Sequence, residues 1–358
     1  MTTIEFNGIP VHVGPLDSKP FHALLNRYES SKKVIIVDEN THDCCLEYLL
    51  TAFPALESAE VMLLPVGEEN KVLEICYQVW EAMLEYNINR NDLVINLGGG
   101  LVTDVGGFVA SVFKRGVNYV HIPTSLLAMV DASLGGKNGV DLNGFKNILG
   151  TITNPQAVYV DTGFLETLPP DEIFNGFAEM LKHALIHDVA YWNTLKVLTS
   201  EAALIQELTI VRSITIKKSI VESDPLEKGQ RKLLNFGHTL GHALESYFMD
   251  KSPIAHGHAV ALGMIGESYV AMKRKVLSMS EYQEIEQTII RIFPMIEIPE
   301  NSYNEVINLL ANDKKNEGNS INFVFLKAIG SAEINAQLSN KEVGEALLHL
   351  SLLAQHGN

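Results

Sequence analysis

Short apolar runs alternate with helical patterns through the first half of the chain. Four runs rich in β-branched residues lie at 33–37, 59–64, 92–97 and 119–122, and helical patterns separate them, as at 72–86 and 103–113. Apolar strands joined through helices are typical of a parallel sheet whose two faces are both covered. The sequence therefore predicts an N-terminal α/β domain.

The pattern changes near residue 168. Pro169-Pro170 follows, and apolar residues then recur every three or four positions, which is typical of helices. Because 358 residues exceed one ordinary domain, we predict an α/β domain at 1–168 and a helical domain at 169–358. No apolar stretch reaches the about 18 residues of a membrane span, and the N-terminus lacks the pattern of a secretory signal.

Net charge limits the binding partners that are expected, and cysteine content indicates the cellular compartment. The formal net charge of −16 repels polynucleotides and anionic membranes, so neither is expected as a partner. The three cysteines form neither a metal-binding spacing nor a disulfide framework, which predicts a cytoplasmic enzyme. In so acidic a chain, any cluster of Lys and Arg needs a local explanation.

A glycine-rich segment follows the third apolar run. Gly98-Gly99-Gly100 and Gly106-Gly107 open a helical pattern, and a strand, a glycine turn and a helix N-terminus can bind a pyrophosphate. The spacing is not GxGxxG, so a tight corner without a ligand is equally open. Asp38 and Asn40 end an earlier strand, where they could bind ribose hydroxyls or form an ordinary polar loop.

Histidines cluster in the helical half. Arg231, Asn235, His238 and His242 are predicted on one face of a single helix, since their spacings place them within about 60° of one another. Two imidazoles and one carboxylate leave a coordination position open, as in catalytic zinc sites. Glu179, His238 and His256 are therefore the candidate metal ligands, although their spacing is not a standard zinc signature.

The scarce cations predict an anion pocket. Each one singly would be an ordinary surface charge, but together with an acid-poor loop at 134–140 they suit a phosphate and a carboxylate. The cations in question are Arg115, Lys137, Lys146, Lys182, Lys217, Arg231 and Lys314.

Ordered blocks along nearly the whole chain resemble the 3-dehydroquinate synthases. The blocks are PVGEENK from Pro65, GGGLVTDVGGF from Gly98, KRG from Lys114, IPTSLLAMVDASLGGK up to Lys137, FKN at 145–147, GFAEMLK up to Lys182, DPLEKGQRKLLNFGHTLGH at 224–242, HGHAVALGM from His256 and DKK at 313–315. The resemblance implies an N-terminal Rossmann-like NAD-binding domain, a C-terminal helical metal- and substrate-binding domain, a substrate cleft between them and a homodimer.

The resemblance also implies three sets of site residues. NAD would be bound by Asp38, Asn40, Glu68, Lys71, Gly99, Gly100, Asp104, Thr124, Ser125, Asp131, Lys137, Lys146, Phe164 and Thr167. Zn²⁺ or Co²⁺ would be bound by Glu179, His238 and His256. The substrate and its chemistry would be served by Lys137, Asn147, Lys182, Lys217, Arg231, Asn235, His242 and Lys314, with Arg115 reaching across the dimer.

The reaction that the resemblance implies converts 3-deoxy-D-arabino-heptulosonate 7-phosphate into 3-dehydroquinate and phosphate, in the shikimate pathway to the aromatic amino acids. It proceeds through transient oxidation at C5, phosphate elimination, re-reduction, ring opening and an intramolecular aldol step, with His242 transferring a proton at the C5 hydroxyl. The alternatives are a metal-dependent polyol or glycerol dehydrogenase, a sibling sugar-phosphate cyclase, and a regulatory module without turnover.

Three residues depart from the usual pattern of the family. His258 stands where glutamate is common, Asn138 where threonine is common, and Thr103 where glycine is common. None of them removes a ligand or a cation, but each could alter the fit of cofactor or substrate.

Overall fold

The computed structural model describes residues 1–143, 145–198, 200–311 and 321–356. The strands are β1 (Thr2–Phe6), β2 (Ile9–Val13), β3 (Lys33–Asp38), β4 (Glu60–Leu64), β5 (Leu93–Gly98), β6 (Asn118–Pro123), β7 (Lys137–Leu142), β8 (Phe145–Ile152), β9 (Val158–Val160), β10 (Asn322–Ala328) and β11 (Ser331–Gln337). The helices are α1 (Lys19–Arg27), α2 (Glu39–Thr41), α3 (Glu47–Ala52), α4 (Leu73–Glu85), α5 (Gly100–Val112), α6 (Pro170–His187), α7 (Val189–Leu195), α8 (Glu201–Leu204), α9 (Glu207–Ser223), α10 (His238–Phe248), α11 (His256–Lys273), α12 (Met279–Ile290), α13 (Tyr303–Ala311) and α14 (Asn340–His356).

Seven strands of the described chain form one sheet in the order β1-β2-β9-β6-β5-β3-β4. Every pair is parallel except β1 with β2. The four predicted apolar runs are confirmed as β3, β4, β5 and β6. Residues 34–37 of β3 are fully buried, as expected for a central strand covered on both faces.

The strand order indicates that a ligand crevice is expected at the carboxyl ends of these strands. From β3 the chain moves outward to β4, then returns past β3 to β5 and continues to β6 on the other side. Where successive connections diverge in this way, the loops at the carboxyl ends of the strands leave room for a ligand. Asp38 ends β3 and Gly98 ends β5, so both predicted nucleotide-binding segments lie at the carboxyl ends of neighbouring strands.

Three antiparallel hairpins were not predicted, namely β1–β2, β7–β8 and β10–β11. The prediction of a loop at 134–140 was wrong for residues 137–140, which belong to β7 and pair with β8. The glycines and asparagine of this segment have low strand propensity, and the cross-strand hydrogen bonds outweigh it.

The chain divides into two compact units. The first comprises Met1–Ile173 and Ile205–Lys218, and the second comprises the other described residues, from Phe174 to Leu204 and from Ser219 onward. The boundary between residues 168 and 169 stays a prediction. Within the described part of the chain, none of the helices combines the length and the apolar character that crossing a membrane requires.

Candidate metal and substrate site

One carboxylate and two imidazoles come together in the second unit. Glu179 lies in α6, while His238 and His256 are the first residues of α10 and α11. The Nε2 atoms of His238 and His256 lie 3.4 and 3.7 Å from Glu179 Oε1. Two ligands of a tetrahedral zinc ion, each about 2.1 Å from the metal, lie about 3.4 Å apart. The spacing therefore fits a divalent metal bound by these three residues.

The two oxygens of Glu179 have different environments. The side chain is fully buried, and Oε2 accepts a hydrogen bond from the Lys182 ammonium in a close ion pair. Among the described residues, Oε1 has no hydrogen-bond partner. An unsatisfied buried acceptor costs about 1–3 kcal/mol. A cation bound between Oε1 and the two imidazoles would remove that cost, so the donor set suits a zinc-like metal.

Burial and neighbouring charges set the pKa values in this cluster. Burial alone raises the pKa of Glu179, but the Lys182 ammonium and the His238 imidazole outweigh it and hold the pKa well below its usual value. Burial and the Lys182 charge lower the pKa of His238 to about 4. Burial also lowers the pKa of His256, but Glu179 and Glu245 outweigh it and raise the pKa to about 9. Because a metal ligand must be deprotonated, a metal would displace that proton from His256.

A third imidazole, His242, borders the same cluster. Its ring centroid lies 5.2 Å from that of His238 and 5.5 Å from that of His256. One ligand atom from each of the three histidines can be chosen so that all lie within 4.8 Å of one another. His242 is therefore close enough to exchange protons with a group bound between His238 and His256.

Glycines allow α10 and α11 to approach closely. Gly237 has φ +75° directly before His238, a conformation that suits glycine. A Cβ atom on Gly263 would lie only 1.9 Å from the Gly237 carbonyl oxygen. This backbone contact holds the start of α10 against α11, which brings His238 close to His256.

Gly263→Ala is expected to destabilise the protein and to weaken metal binding, because the new methyl group must push α10 and α11 apart. Overpacking of this kind costs about 1–3 kcal/mol, and each kcal/mol lowers Tm by about 2–4 °C in a unit of this size. Gly344→Ala is the matched control, since a Cβ there meets nothing within 4 Å. Thermal unfolding should show a lower Tm for Gly263→Ala and no loss for Gly344→Ala; equal values would contradict the close-packing argument.

The prediction that Arg231, Asn235, His238 and His242 share one helix face was wrong. Residues Gln230–Asn235 form a 3-10 helix, and the chain turns at Gly237 before α10 begins at His238. A 3-10 helix has about 3.0 residues per turn, so residues four apart do not share one of its faces. The left-handed conformation of Gly237 then changes the direction of the chain before α10. His238 and His242 do share a face of α10, while Arg231 and Asn235 belong to the preceding segment.

Arg231 is buried and held by the loop before it. Its backbone N–H donates to Asp224 Oδ2 at 3.1 Å, and its Nη1 donates to the Pro225 carbonyl oxygen at 2.8 Å. Asp224 accepts two further backbone N–H groups of the same loop. Asn235 Nδ2 donates to Glu227 Oε1 at 3.0 Å. The guanidinium and the amide are therefore anchored by groups that sequence reasoning did not single out.

Several predicted cofactor residues of the first unit meet at the carboxyl ends of β5 and β6. Gly99 precedes α5 and Gly100 is its first residue. A Cβ atom on Gly99 would lie 3.4 Å from Ser125 Oγ, and the Thr124 N–H donates to the Gly98 carbonyl oxygen at 3.0 Å. The backbone is thus close to Ser125 at the point where a pyrophosphate would meet the helix N-terminus.

Three ion pairs hold other predicted residues of the first unit. Lys71 Nζ lies 2.6 Å from Asp104 Oδ2 and 3.5 Å from Glu68 Oε1. Burial lowers the pKa of Lys71, but the carboxylates of Asp104 and Glu68 outweigh it and raise the pKa above its usual value. Lys217 Nζ donates to the backbone oxygen and to Oδ1 of Asp131, at 2.6 and 2.8 Å.

The remaining predicted residues of the first unit are distributed over several elements. The carboxylate of Asp38 accepts the Thr41 N–H at 2.7 Å, so Asp38 caps α2 whether or not it binds a ribose. Asn40 and Thr167 are exposed and Phe164 is buried; Lys137 begins β7, Lys146 and Asn147 lie in β8, and Arg115 is exposed near the end of α5. Lys314 lies outside the described residues. The roles of these residues stay predictions.

The comparisons with known proteins agree with this geometry. The family model described as 3-dehydroquinate synthase N-terminal matches residues 61–175, and the one described as 3-dehydroquinate synthase C-terminal matches residues 176–316. The chain belongs to the 3-dehydroquinate synthase family. The predicted family membership is confirmed.

Individual relatives extend this result. The 3-dehydroquinate synthase of Parabacteroides distasonis is 38% identical over 326 residues, which is 90% of this chain and 92% of the relative. Among solved structures, the 2-epi-5-epi-valiolone synthase of Streptomyces hygroscopicus with NAD⁺ and Zn²⁺ bound is 27% identical, with a TM-score of 0.84 over 98% of this chain and 99% of that chain. A 2-deoxy-scyllo-inosose synthase is 24% identical, with a TM-score of 0.83 over 97% and 99%. The predicted fold class, an α/β domain followed by a helical domain, is confirmed.

The three departures from the family pattern form local hydrogen bonds. Thr103 Oγ1 donates to the carbonyl oxygens of Gly99 and Gly100, at 3.2 and 3.1 Å. Asn138 Nδ2 donates to Tyr119 Oη at 3.2 Å and to two backbone carbonyls. His258 Nε2 lies 2.6 Å from the Pro294 carbonyl oxygen. Each departure therefore has a structural partner of its own.

Proposed function

We propose that this protein is a 3-dehydroquinate synthase, a carbon–oxygen lyase that eliminates phosphate from 3-deoxy-D-arabino-heptulosonate 7-phosphate and closes the carbocycle of 3-dehydroquinate. The observation that carries the proposal is the environment of the Glu179 carboxylate. One of its oxygens accepts a hydrogen bond from Lys182, and the other faces His238 and His256. A metal position next to a buried ammonium suits a substrate that carries both a hydroxyl to be oxidised and anionic groups.

Cofactor and metal would occupy the two groups of residues described above. NAD would lie at the carboxyl ends of β3, β5 and β6, against Gly99, Gly100 and Ser125, and a divalent metal would be held by Glu179, His238 and His256. When bound, NAD supplies a reversible hydride acceptor, and the metal supplies Lewis-acid polarisation of the oxidised hydroxyl. Relatives of the same fold carry NAD⁺ with Zn²⁺ or Co²⁺, which supports this pairing.

The protein's own residues would bind the anionic groups and move one proton. Lys182 and Arg231 are buried cations, and a charge-assisted hydrogen bond from such a group typically contributes about 1.5–3 kcal/mol. His242, next to His238 and His256, would take the proton of the substrate hydroxyl and return it. Asn235, held by Glu227, would orient a substrate hydroxyl. In the first unit, Lys137, Lys146 and Asn147 would contact the substrate or the nicotinamide.

We further propose a cytoplasmic homodimer in which Arg115 contacts the substrate of the partner subunit. Arg115 is exposed and has φ +64°, beside Lys114 at φ +48°. Exposure in the single chain is what a residue acting across a dimer requires.

The nearest alternatives belong to other enzyme classes. A polyol dehydrogenase would need NAD and a metal but fewer cations, and a sibling cyclase would use a different sugar phosphate. The buried Lys182 and Arg231 support an anionic substrate over a polyol. The higher identity to curated 3-dehydroquinate synthases than to the valiolone synthase supports the dehydroquinate reaction among the cyclases.

Phosphate release with catalytic NAD⁺ tests the proposal. The metal-loaded protein is expected to release one phosphate per heptulosonate phosphate without accumulating NADH, since the hydride that leaves the substrate returns to it. Phosphate is measured with a coupled colour assay and NADH by its absorbance. Conversion of the added NAD⁺ to NADH would instead favour a dehydrogenase, and turnover of another sugar phosphate alone would favour a sibling cyclase.

A further inference from the structure

The imidazole of His256 faces two different carboxylates. Its Nε2 lies 3.7 Å from Glu179 Oε1, and its Nδ1 lies 3.4 Å from Glu245 Oε2. Glu245 belongs to α10, and its side chain is only 12% exposed. An ionised carboxylate accepts hydrogen bonds and cannot donate them, so this contact favours the tautomer with its proton on Nδ1. Nε2, which faces Glu179, is then the nitrogen whose lone pair becomes available when a metal displaces the remaining proton.

His238 shows the same arrangement with a different acceptor. Its Nδ1 lies 3.1 Å from the Phe236 carbonyl oxygen, and its Nε2 lies 3.4 Å from Glu179 Oε1. Both imidazoles therefore direct Nε2 towards the same carboxylate oxygen. The acceptor at His238 is a backbone group that no substitution removes, whereas the acceptor at His256 is the replaceable side chain of Glu245.

We propose that Glu245 is a positioning residue for metal binding, which holds His256 in the tautomer and orientation that its Nε2 needs to bind a divalent metal. This proposal rests on the metal site of the proposed function. Glu245 would act through His256 and would touch neither metal nor substrate. Acceptors behind a metal-bound histidine fix its orientation and increase its basicity, and their loss typically weakens metal affinity about 10- to 100-fold.

The spacing of Glu245 in the sequence could also have suggested a role at the metal site. It follows His238 by seven residues and His242 by three, so it shares their face of α10. Two histidines and one carboxylate on one face suggest a metal ligand set of their own. The structure instead turns the carboxylate towards the Nδ1 side of His256, which lies on the neighbouring helix α11.

Glu245→Ala is expected to weaken the Zn²⁺ affinity of the metal-free protein about 10- to 100-fold. Glu245→Gln keeps an amide oxygen that can accept the Nδ1–H, so it should recover most of that loss. Affinity is measured by competition with a chromophoric chelator, without substrate or NAD. Circular dichroism and the Tm of the metal-free variants show that each is folded.

Glu286→Ala is the matched control. It removes the carboxylate of a second Glu–His pair of the same unit, in which Glu286 Oε2 lies 2.8 Å from His349 Nε2. Its Zn²⁺ affinity should equal that of the wild type. The proposal is overturned if Glu245→Ala binds Zn²⁺ as tightly as Glu286→Ala, or if Glu245→Gln loses as much affinity as Glu245→Ala.

His238→Ala separates this proposal from the metal site itself. If His238→Ala loses Zn²⁺ binding while Glu245→Ala retains full affinity, only the role of Glu245 fails. If His238→Ala also binds Zn²⁺ at full affinity, the metal site fails, and the role of Glu245 fails with it. Phosphate release by the wild-type protein reports independently on the reaction.

Discussion

His238→Ala is expected to abolish tight metal binding and to reduce turnover to background. Structural zinc sites with four ligands have binding free energies of about 10–16 kcal/mol, or about 3 kcal/mol per ligand. Since about 1.4 kcal/mol corresponds to a factor of ten, one lost ligand should weaken binding by more than about 100-fold. Glu179 Oε1 would then face one imidazole in place of two. Elemental analysis after dialysis and chelator competition measure the loss.

Two other histidines serve as controls for this variant. His258 lies two residues beyond His256, and its ring contacts the Pro294 carbonyl oxygen. The His258→Gln variant should therefore retain the metal. His242→Ala tests whether the third imidazole of the cluster is a ligand: we expect full metal content together with lost turnover, because His242 is assigned to proton transfer. Full metal content in His238→Ala would remove His238 from the ligand set.

The apolar strands were predictable because burial dictates their composition. Strands β3 and β5 lie inside the sheet and are covered on both faces, so most of their residues must be apolar, and the sequence shows this directly. Strand β11, SAEINAQ, is partly exposed along its whole length and carries little apolar signal. It forms because β10 supplies its hydrogen bonds, and that partner cannot be identified from local composition.

The break before His238 could not be predicted from periodicity. Spacings of four, three and four residues fit one face of an α-helix, so RKLLNFGHTLGH suggested one continuous helix. The conformation of Gly237 depends on crowding from α11, because a Cβ there would lie 2.6 Å from Met264 Cγ and 2.8 Å from the Val260 carbonyl oxygen. Only the folded unit contains that information. The chemistry of Glu179, His238 and His256 was suggested by residue type, while their distances depended on the packing of three helices.

Lys182→Met is expected to lower kcat/KM by about two to three orders of magnitude, since removing one partner of a buried, hydrogen-bonded charge pair costs about 2–5 kcal/mol. Its second expected effect depends on the metal. Lys182 is 1% exposed and pairs with the fully buried Glu179, so the variant leaves that carboxylate without its ammonium. Breaking such a pair typically costs about 3–5 kcal/mol of stability. The metal-free variant should therefore unfold at a markedly lower denaturant concentration.

Metal loading should restore part of that stability, because a divalent cation replaces the missing positive charge beside Glu179. Lys196→Met is the matched control: Lys196 pairs with Glu284 at 2.9 Å, but its side chain is 27% exposed, so its loss should cost no more than about 1 kcal/mol, with or without metal. Denaturant titrations of both variants, with and without Zn²⁺, measure the difference. A Lys182→Met protein that is equally unstable in both conditions would mean that no cation binds at Glu179. A folded variant with wild-type kcat/KM would remove Lys182 from the substrate site.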